Sequence, residues 1–229
     1  MGWFGDCIGS IGSAIGSVCS AIGSVCSSIG GAIAAGIGAL ANVIAPHLGP
    51  ILQIVTTIAQ VLGILNKDDN PEDLGEAMRK SDKKPEDFDS INDYIANLRE
   101  EIKSGKIVLD EDKTDLQKNI DTALGAGLSI KAIDEKYNLQ TSPEFWVFGA
   151  KKFEEGKLNT DEIHSMLKTA SDKKINPTDI ANYVEDKELS SGVQKSEISS
   201  ALKESLQEAN PTLSKEEITE KFNALIRDS

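Results

Sequence analysis

The chain has 229 residues, with 24 Lys and Arg against 37 Asp and Glu, a net charge of −13 and only 5% aromatic residues. Such a balance excludes a nucleic-acid binder, which needs a basic face to displace counterions from phosphates. Three cysteines, an odd number, argue against a scaffold built on disulfides. The charge is segregated along the chain. From Cys7 to Asn66 there is no Asp, Glu, Lys or Arg, a run of 60 residues. Every basic residue, and every acidic residue except Asp6, lies in 67–229. The sequence therefore divides into an uncharged apolar arm, 1–66, and an acidic body, 67–229.

The arm opens Met-Gly-Trp-Phe-Gly-Asp. No Lys or Arg precedes the apolar run, so a secretory signal is not expected. Asp6 stands where an N-myristoylation motif requires Ser or Thr. Trp3 and Phe4 suit a membrane interface, where amphipathic rings settle. Four heptads then stack from Cys7 to Ala34, and residues 14–20 are repeated as 21–27. Seven residues are two helical turns, so each heptad position draws a stripe. Ile8, Ile11, Ile15, Val18, Ile22, Val25 and Ile29 form an aliphatic stripe. Gly9, Gly12, Gly16, Cys19, Gly23, Cys26 and Gly30 form a stripe of small residues. Ser10, Ser13, Ser17, Ser20, Ser24 and Ser27 form a hydroxyl stripe. In water this composition makes a poor helix, because each interior Gly costs about 1 kcal/mol against Ala. In a bilayer the backbone must satisfy itself, which forces a helix, and small residues let helices approach closely. The three stripes read as lipid face, helix-packing face and polar or lumen face. Packing inside a protein assembly is the competing reading.

Beyond Ala34 the stripes fade and hydrophobicity rises. Pro46 and Pro50 suggest a turn or kink between limbs at roughly 29–45 and 51–65. Each limb is short of the roughly 20 residues that a single span prefers. The pattern reads as a helical hairpin, while Ile8 to Ala45 counted as one long helix gives ample length for a span. Lys67-Asp68-Asp69-Asn70-Pro71 closes the arm. The arm resembles the glycine-zipper segments of small membrane-active proteins, among them pore-forming effectors that bacteria deliver into rivals by type VI secretion. Gly9, Gly12, Gly16, Gly23 and Gly30, with Ser and Ile interleaved, carry the likeness over 7–45. The arm is similar, more loosely, to the hydrophobic hairpin of pore-forming colicins, with shorter limbs and no basic belt. Both resemblances imply injury to membranes.

The body reads as helices joined by short turns. Asn70, Ser142 and Asn176 each precede a proline, a helix-start signature. Asn159-x-x-Glu162 and Ser214-x-x-Glu217 have the form of capping boxes. The spacing predicts helices near 72–80, 86–104, 112–124, 129–137, 143–154, 160–171, 177–186, 195–208 and 214–227, with no strand. A weak repeat relates 105–138, 156–187 and 192–227 as helix–turn–helix pairs. Gly105, Gly156 and Gly192 invite comparison with the sixth residue of a calcium loop. The third position would then be Ile102, Phe153 or Leu189, none an oxygen ligand, so no calcium site is expected.

Catalytic signatures are weak. The two histidines, His47 and His164, read as packing or surface residues. Gly5-Asp-Cys7-Ile-Gly9 has nucleophile-elbow spacing without a preceding strand. Gly36-Ile-Gly38-Ala-Leu-Ala41 lacks the acidic ribose partner of a dinucleotide site. Cys7, Cys19 and Cys26 lack zinc spacing. The expectation is therefore an all-α protein, a glycine-rich apolar hairpin or long helix followed by an acidic multi-helix domain. It is expected not to be an enzyme and to hold no cofactor or metal. The expected function is insertion into a lipid bilayer, self-association and ion leakage. A chaperone, delivery or immunity protein would be its partner. The chain would be held soluble or chaperoned in the cytosol and then delivered to a target membrane. The alternative is a structural protein of a virion or secretion apparatus. There the arm would be packed in a protein channel or serve as a passive anchor, with the body as an adaptor.

Overall fold

The computed structural model describes residues 22, 24 and 30–227. The protein is all-helical, with no strand among the described residues. The helices are α1 Ala32–Ile44, α2 Leu48–Val61, α3 Pro71–Lys80, α4 Ile91–Lys103, α5 Asp115–Tyr137, α6 Pro143–Glu154, α7 Thr160–Lys173, α8 Pro177–Val184, α9 Lys195–Ala209 and α10 Lys215–Arg227. One-turn 3₁₀ segments lie at Ala45–His47 and Pro85–Asp87. Two compact units divide the chain, Met1–Ile133 and Asp134–Ser229. The change in composition falls elsewhere, at 66/67, so the described end of the arm and the first helices of the charged part share one unit.

Capping residues start the helices where the sequence places them. Asn70, Ser142 and Asn176 accept hydrogen bonds from the amides of Glu72, Phe145 and Thr178. Asn159 and Glu162 exchange backbone bonds of 2.8 and 2.9 Å, and Ser214 and Glu217 form the same reciprocal pair. Each cap satisfies amides that the first turn leaves without intrahelical partners.

Apart from the helix expected at 86–104, which starts only at Ile91 after a separate 3₁₀ turn at Pro85–Asp87, two expectations change. The helices expected at 112–124 and 129–137 are one helix, α5, which runs through Gly125 and Gly127. These glycines are packing positions rather than breaks. A Cβ on Gly125 would stand 1.8 Å from the Pro71 carbonyl oxygen, and one on Gly75 1.8 Å from that of Asp121. So α3 and α5 cross backbone against backbone, which side chains at those two positions would forbid. The second change concerns Pro46 and Pro50. The expected hairpin of limbs 29–45 and 51–65 is not formed: Ala32–Val61 is a helical run of 30 residues, and a helix counted from Ile8 to Ala45 falls largely outside the described residues. Pro46 sits in the 3₁₀ turn, where its missing N–H removes one helical bond without reversing the chain.

The first unit has an aliphatic core. Ile37, Ala41, Ile44, Ile51, Ile54, Val55 and Ile58 from the long helix are fully buried, as are Tyr94, Ile95, Leu98, Leu124 and Leu128. Beside this core lies an ionic cluster. Arg79 forks onto Asp121 with two bonds of 3.1 Å. Lys80 reaches Glu76 at 2.6 Å and Asp110 at 2.8 Å, and Lys113 pairs with Glu72 and Glu76. Burial works to raise the Glu76 carboxyl, but hydrogen bonds from Lys80, the Asp110 amide and Lys113 outweigh it and hold it at about 2. Burial and the nearby Glu76 push Asp121 up in spite of Arg79.

The second unit stacks helix–turn–helix pairs. α7 lies along α9, α9 also meets α8 and α10, and α6 meets α8. Its core adds Phe145, Trp146, Phe148 and Phe222 to aliphatic side chains such as Ile163, Leu167, Leu202 and Leu206. Phe145 and Trp146 meet edge to face at 5.5 Å, and the Trp146 indole N–H donates to the Thr141 hydroxyl at 2.8 Å. Gly156 and Gly192, equivalent in the weak repeat, both take positive φ.

Candidate functional site

The long apolar helix is the feature that sets this chain apart. A run of 30 residues spans about 45 Å at 1.5 Å per residue, against about 30 Å for a hydrocarbon core. It is long and apolar enough to cross a bilayer, and 33% of its most apolar 18-residue stretch is buried. The buried face consists of Ala34, Ile37, Gly38, Leu40, Ala41 and Ile44, then Ile51, Ile54, Val55, Ile58 and Ala59. The opposite face carries Ala35, Ala39, Val43, Gly49, Gln53 and Val61, all exposed. Val61 is 64% and Val43 46% exposed, large values for valines.

Three features of the first unit hold this helix. Within its first segment, α1 passes over α5 at Gly127, where a Cβ would lie 3.1 Å from the Ile37 carbonyl oxygen. At the N-terminal end, the Ile33 amide donates to Glu86 Oε1 at 2.6 Å. Glu86 projects from the 3₁₀ turn Pro85–Asp87 and supplies the anion that Gly31, the N-cap residue, cannot. At the C-terminal end, Arg99 donates to the Ile64 carbonyl at 3.2 Å and forks onto Asp69.

The zipper residues are only partly placed. Gly9, Gly12, Gly16, Cys19, Gly23 and Cys26 lie outside the described residues, as do Ser10, Ser13, Ser17, Ser20 and Ser27. So do Ile8, Ile11, Ile15, Val18, Val25 and Ile29. Of the remainder, Ile22 is helical and fully buried, and Ser24 is helical and exposed. Gly30 is not in α1. It precedes the helix at φ 74, followed by Gly31 at φ 93, and this left-handed pair interrupts the heptad pattern before α1 begins. Glu86, Arg99 and Gly127 were not legible as functional residues. The only trace was the pair Gly125 and Gly127 inside an otherwise helical run.

The second unit has two adjoining clefts of about 510 and 500 Å³, which share Lys174, Ile175 and Asn176. Tyr137 and Ser171 border the first, and Asp179 and Ser190 the second. Near the first cleft, the Tyr137 hydroxyl bonds His164 Nε2 at 2.5 Å. Burial pushes the His164 imidazole below its ordinary value and the Tyr137 phenol above its own. No nucleophile stands with a base and an oxyanion donor in either lining. Among the described residues no group of three or more His, Cys, Asp or Glu is placed to hold a metal ion. Comparisons with protein-family models, with curated proteins and with solved structures return no match.

Proposed function

We propose that this chain is a membrane-inserting, pore-forming protein whose uncharged arm self-associates in a bilayer and lets ions leak. The observation that carries this reading is the helix Ala32–Val61, long enough to span and only partly buried against the first unit. It follows a further uncharged stretch whose glycine, serine and aliphatic stripes suit helix packing, a narrow polar lumen and a lipid face. Leaving the protein core for hydrocarbon loses little hydrophobic energy, because lipid tails are as apolar as leucine. The acidic body keeps the chain soluble until the arm meets its target membrane. A chaperone or delivery apparatus is the natural escort, and a producing cell would need an immunity protein.

The test is release of trapped dye and potassium from phosphatidylcholine vesicles by the full chain, beside the Gly16→Ile/Gly23→Ile double variant. Release by the native chain, lost in the double variant, is the expected result. Equal release by both would remove the zipper from the mechanism. A second reading rests on the completely buried Ile37, Ile44, Ile51, Ile54 and Ile58. These fit a permanent core helix in an assembly protein, whose body is an adaptor. Absence of release at acidic pH and under an applied potential would favour it.

A further inference from the structure

We propose that the apolar helix is held by a two-ended autoinhibitory clasp, Glu86 at its N-terminal end and Arg99 at its C-terminal end, which sets the threshold for its release. The inference rests on the membrane-insertion reading. Between Cys7 and Asn66 the chain has no charged side chain, so it can form no ion pair of its own. Charged groups that contact the arm therefore come from the body, and the two at its ends, Glu86 and Arg99, address its backbone.

Helix ends are the places where the backbone offers such contacts. Gly31 makes no side-chain cap and the first turn of α1 has no acidic residue. Glu86 fills that role from 53 residues away, and a Cβ on Gly31 would come within 2.3 Å of its Oε1. At the far end, Gly63 closes α2 with φ 70, and Ile64 and Leu65 turn inward to bond the Ala59 carbonyl. Arg99 then donates to the Ile64 carbonyl. Asp69 orients the guanidinium, with contacts of 3.0 and 3.1 Å to Nε and 2.5 Å to Nη2.

The energetic logic follows from what differs between the docked and inserted states. The helix's own aliphatic surface is buried by the body and by lipid alike, so for the helix itself burial selects neither state strongly, while the wall it would leave behind, with Leu98, Leu124 and Leu128, favours docking. The two polar ends exist only in the docked state. Both stand where water reaches them: Glu86 is exposed and the Arg99 side chain is 31% exposed. A clasp of this kind is weak enough to be opened by a competing surface and still specific in register.

The experiment compares full-length wild type with Glu86→Ala, Glu86→Gln, Arg99→Ala and the wedge variant Gly127→Leu. The first readout is amide hydrogen exchange in solution, without lipid. Amides of 33–44 are expected to exchange about tenfold faster in Glu86→Ala, and those of 58–65 in Arg99→Ala, while α4 keeps its protection. Glu86→Gln is expected to fall between wild type and Glu86→Ala, which separates loss of the bond from a folding defect. The second readout is dye release from vesicles of phosphatidylcholine and phosphatidylglycerol at 3:1. The protein concentration for half release is expected to fall about fivefold in the double variant Glu86→Ala/Arg99→Ala and in Gly127→Leu. Unchanged exchange in both single alanine variants overturns the clasp, whatever the vesicles show. Faster exchange without release from any variant upholds the clasp and sinks the pore-forming reading instead.

Discussion

The two units reach stability by different routes. In the first, a helix without a single charge lies on helices crowded with charge. Its core is aliphatic, its closest crossings are backbone on backbone, and its polar groups are concentrated in the cluster around Glu76 and Asp121. In the second, Phe145, Trp146 and Phe148 join an otherwise aliphatic core, and several buried polar side chains are tied to a neighbouring turn or helix. Glu162, for example, completes a capping box and also meets Asn210 and Lys221 at 2.8 and 2.9 Å. The contrast separates a unit whose apolar helix carries no side-chain ion pair from one whose helices are joined by side-chain hydrogen bonds and ion pairs. Aliphatic surface needs no hydrogen-bond partner, whereas the Trp146 indole and the Thr141 hydroxyl would each lose one if the second unit came apart.

Removal of 1–66 breaks the comparison most severely. The first unit loses a whole wall of its core, and its remaining amides are expected to lose exchange protection, while the second unit keeps its own. Protection of α3 and α4 surviving in the truncated chain would show that the arm is an appendage and not part of that core. The next effect is expected in the other unit. Trp146→Ala empties a site that is 1% exposed and orphans Thr141, a cost of about 4 kcal/mol. Urea unfolding followed by the near-ultraviolet signal of the aromatic residues should show it, with the first unit unchanged.

Gly125→Ala comes third. The added methyl meets the Pro71 carbonyl at 1.8 Å, so α3 and α5 must separate, for about 3 kcal/mol in the first unit alone. Loss below about 0.5 kcal/mol by chemical denaturation would mean that this crossing is looser than drawn. The gentlest probe is pH. Glu76 has its folded value below the ordinary 4.5, at about 2, so its contribution is complete above 4.5 and is lost as pH falls from there toward 2. His164 also lies below its ordinary 6.5, but it is a base. The fold prefers the neutral ring, so its contribution is present above 6.5 and declines as pH falls below it. The second unit should therefore soften first on acidification, as pH falls below 6.5. In His164→Gln that early slope should vanish in a thermal melt followed residue by residue by exchange.

Much of the helical framework was legible along the chain. Asn70, Ser142, Asn159, Asn176 and Ser214 mark helix starts because an N-cap is a local device, satisfied within three residues. The joining of 112–124 and 129–137 was not legible. Gly125 and Gly127 look like helix breaks until α3 and α1 are seen pressed against them. Pro46 and Pro50 were equally ambiguous, since a proline removes one hydrogen bond whether the chain then bends or reverses. Within the candidate site, the charge-free run was evident and its holders were not. Glu86 and Arg99 lie 53 and 35 residues from the atoms they bind, among many other surface charges.

The sequence by itself determined the helical class, most helix starts and the segregation of charge that separates arm from body. These depend on neighbours within a turn or two, where propensity and capping act directly. Only the tertiary structure decided that Ala32–Val61 is one long helix, which of its faces is buried, and which body residues hold its ends. The reason is physical. The aliphatic face of an uncharged helix is non-directional, so it says which side is buried but not against what. The register is completed by the close approach at Gly127 and by bonds to backbone groups at the two ends, which the fold around them supplies.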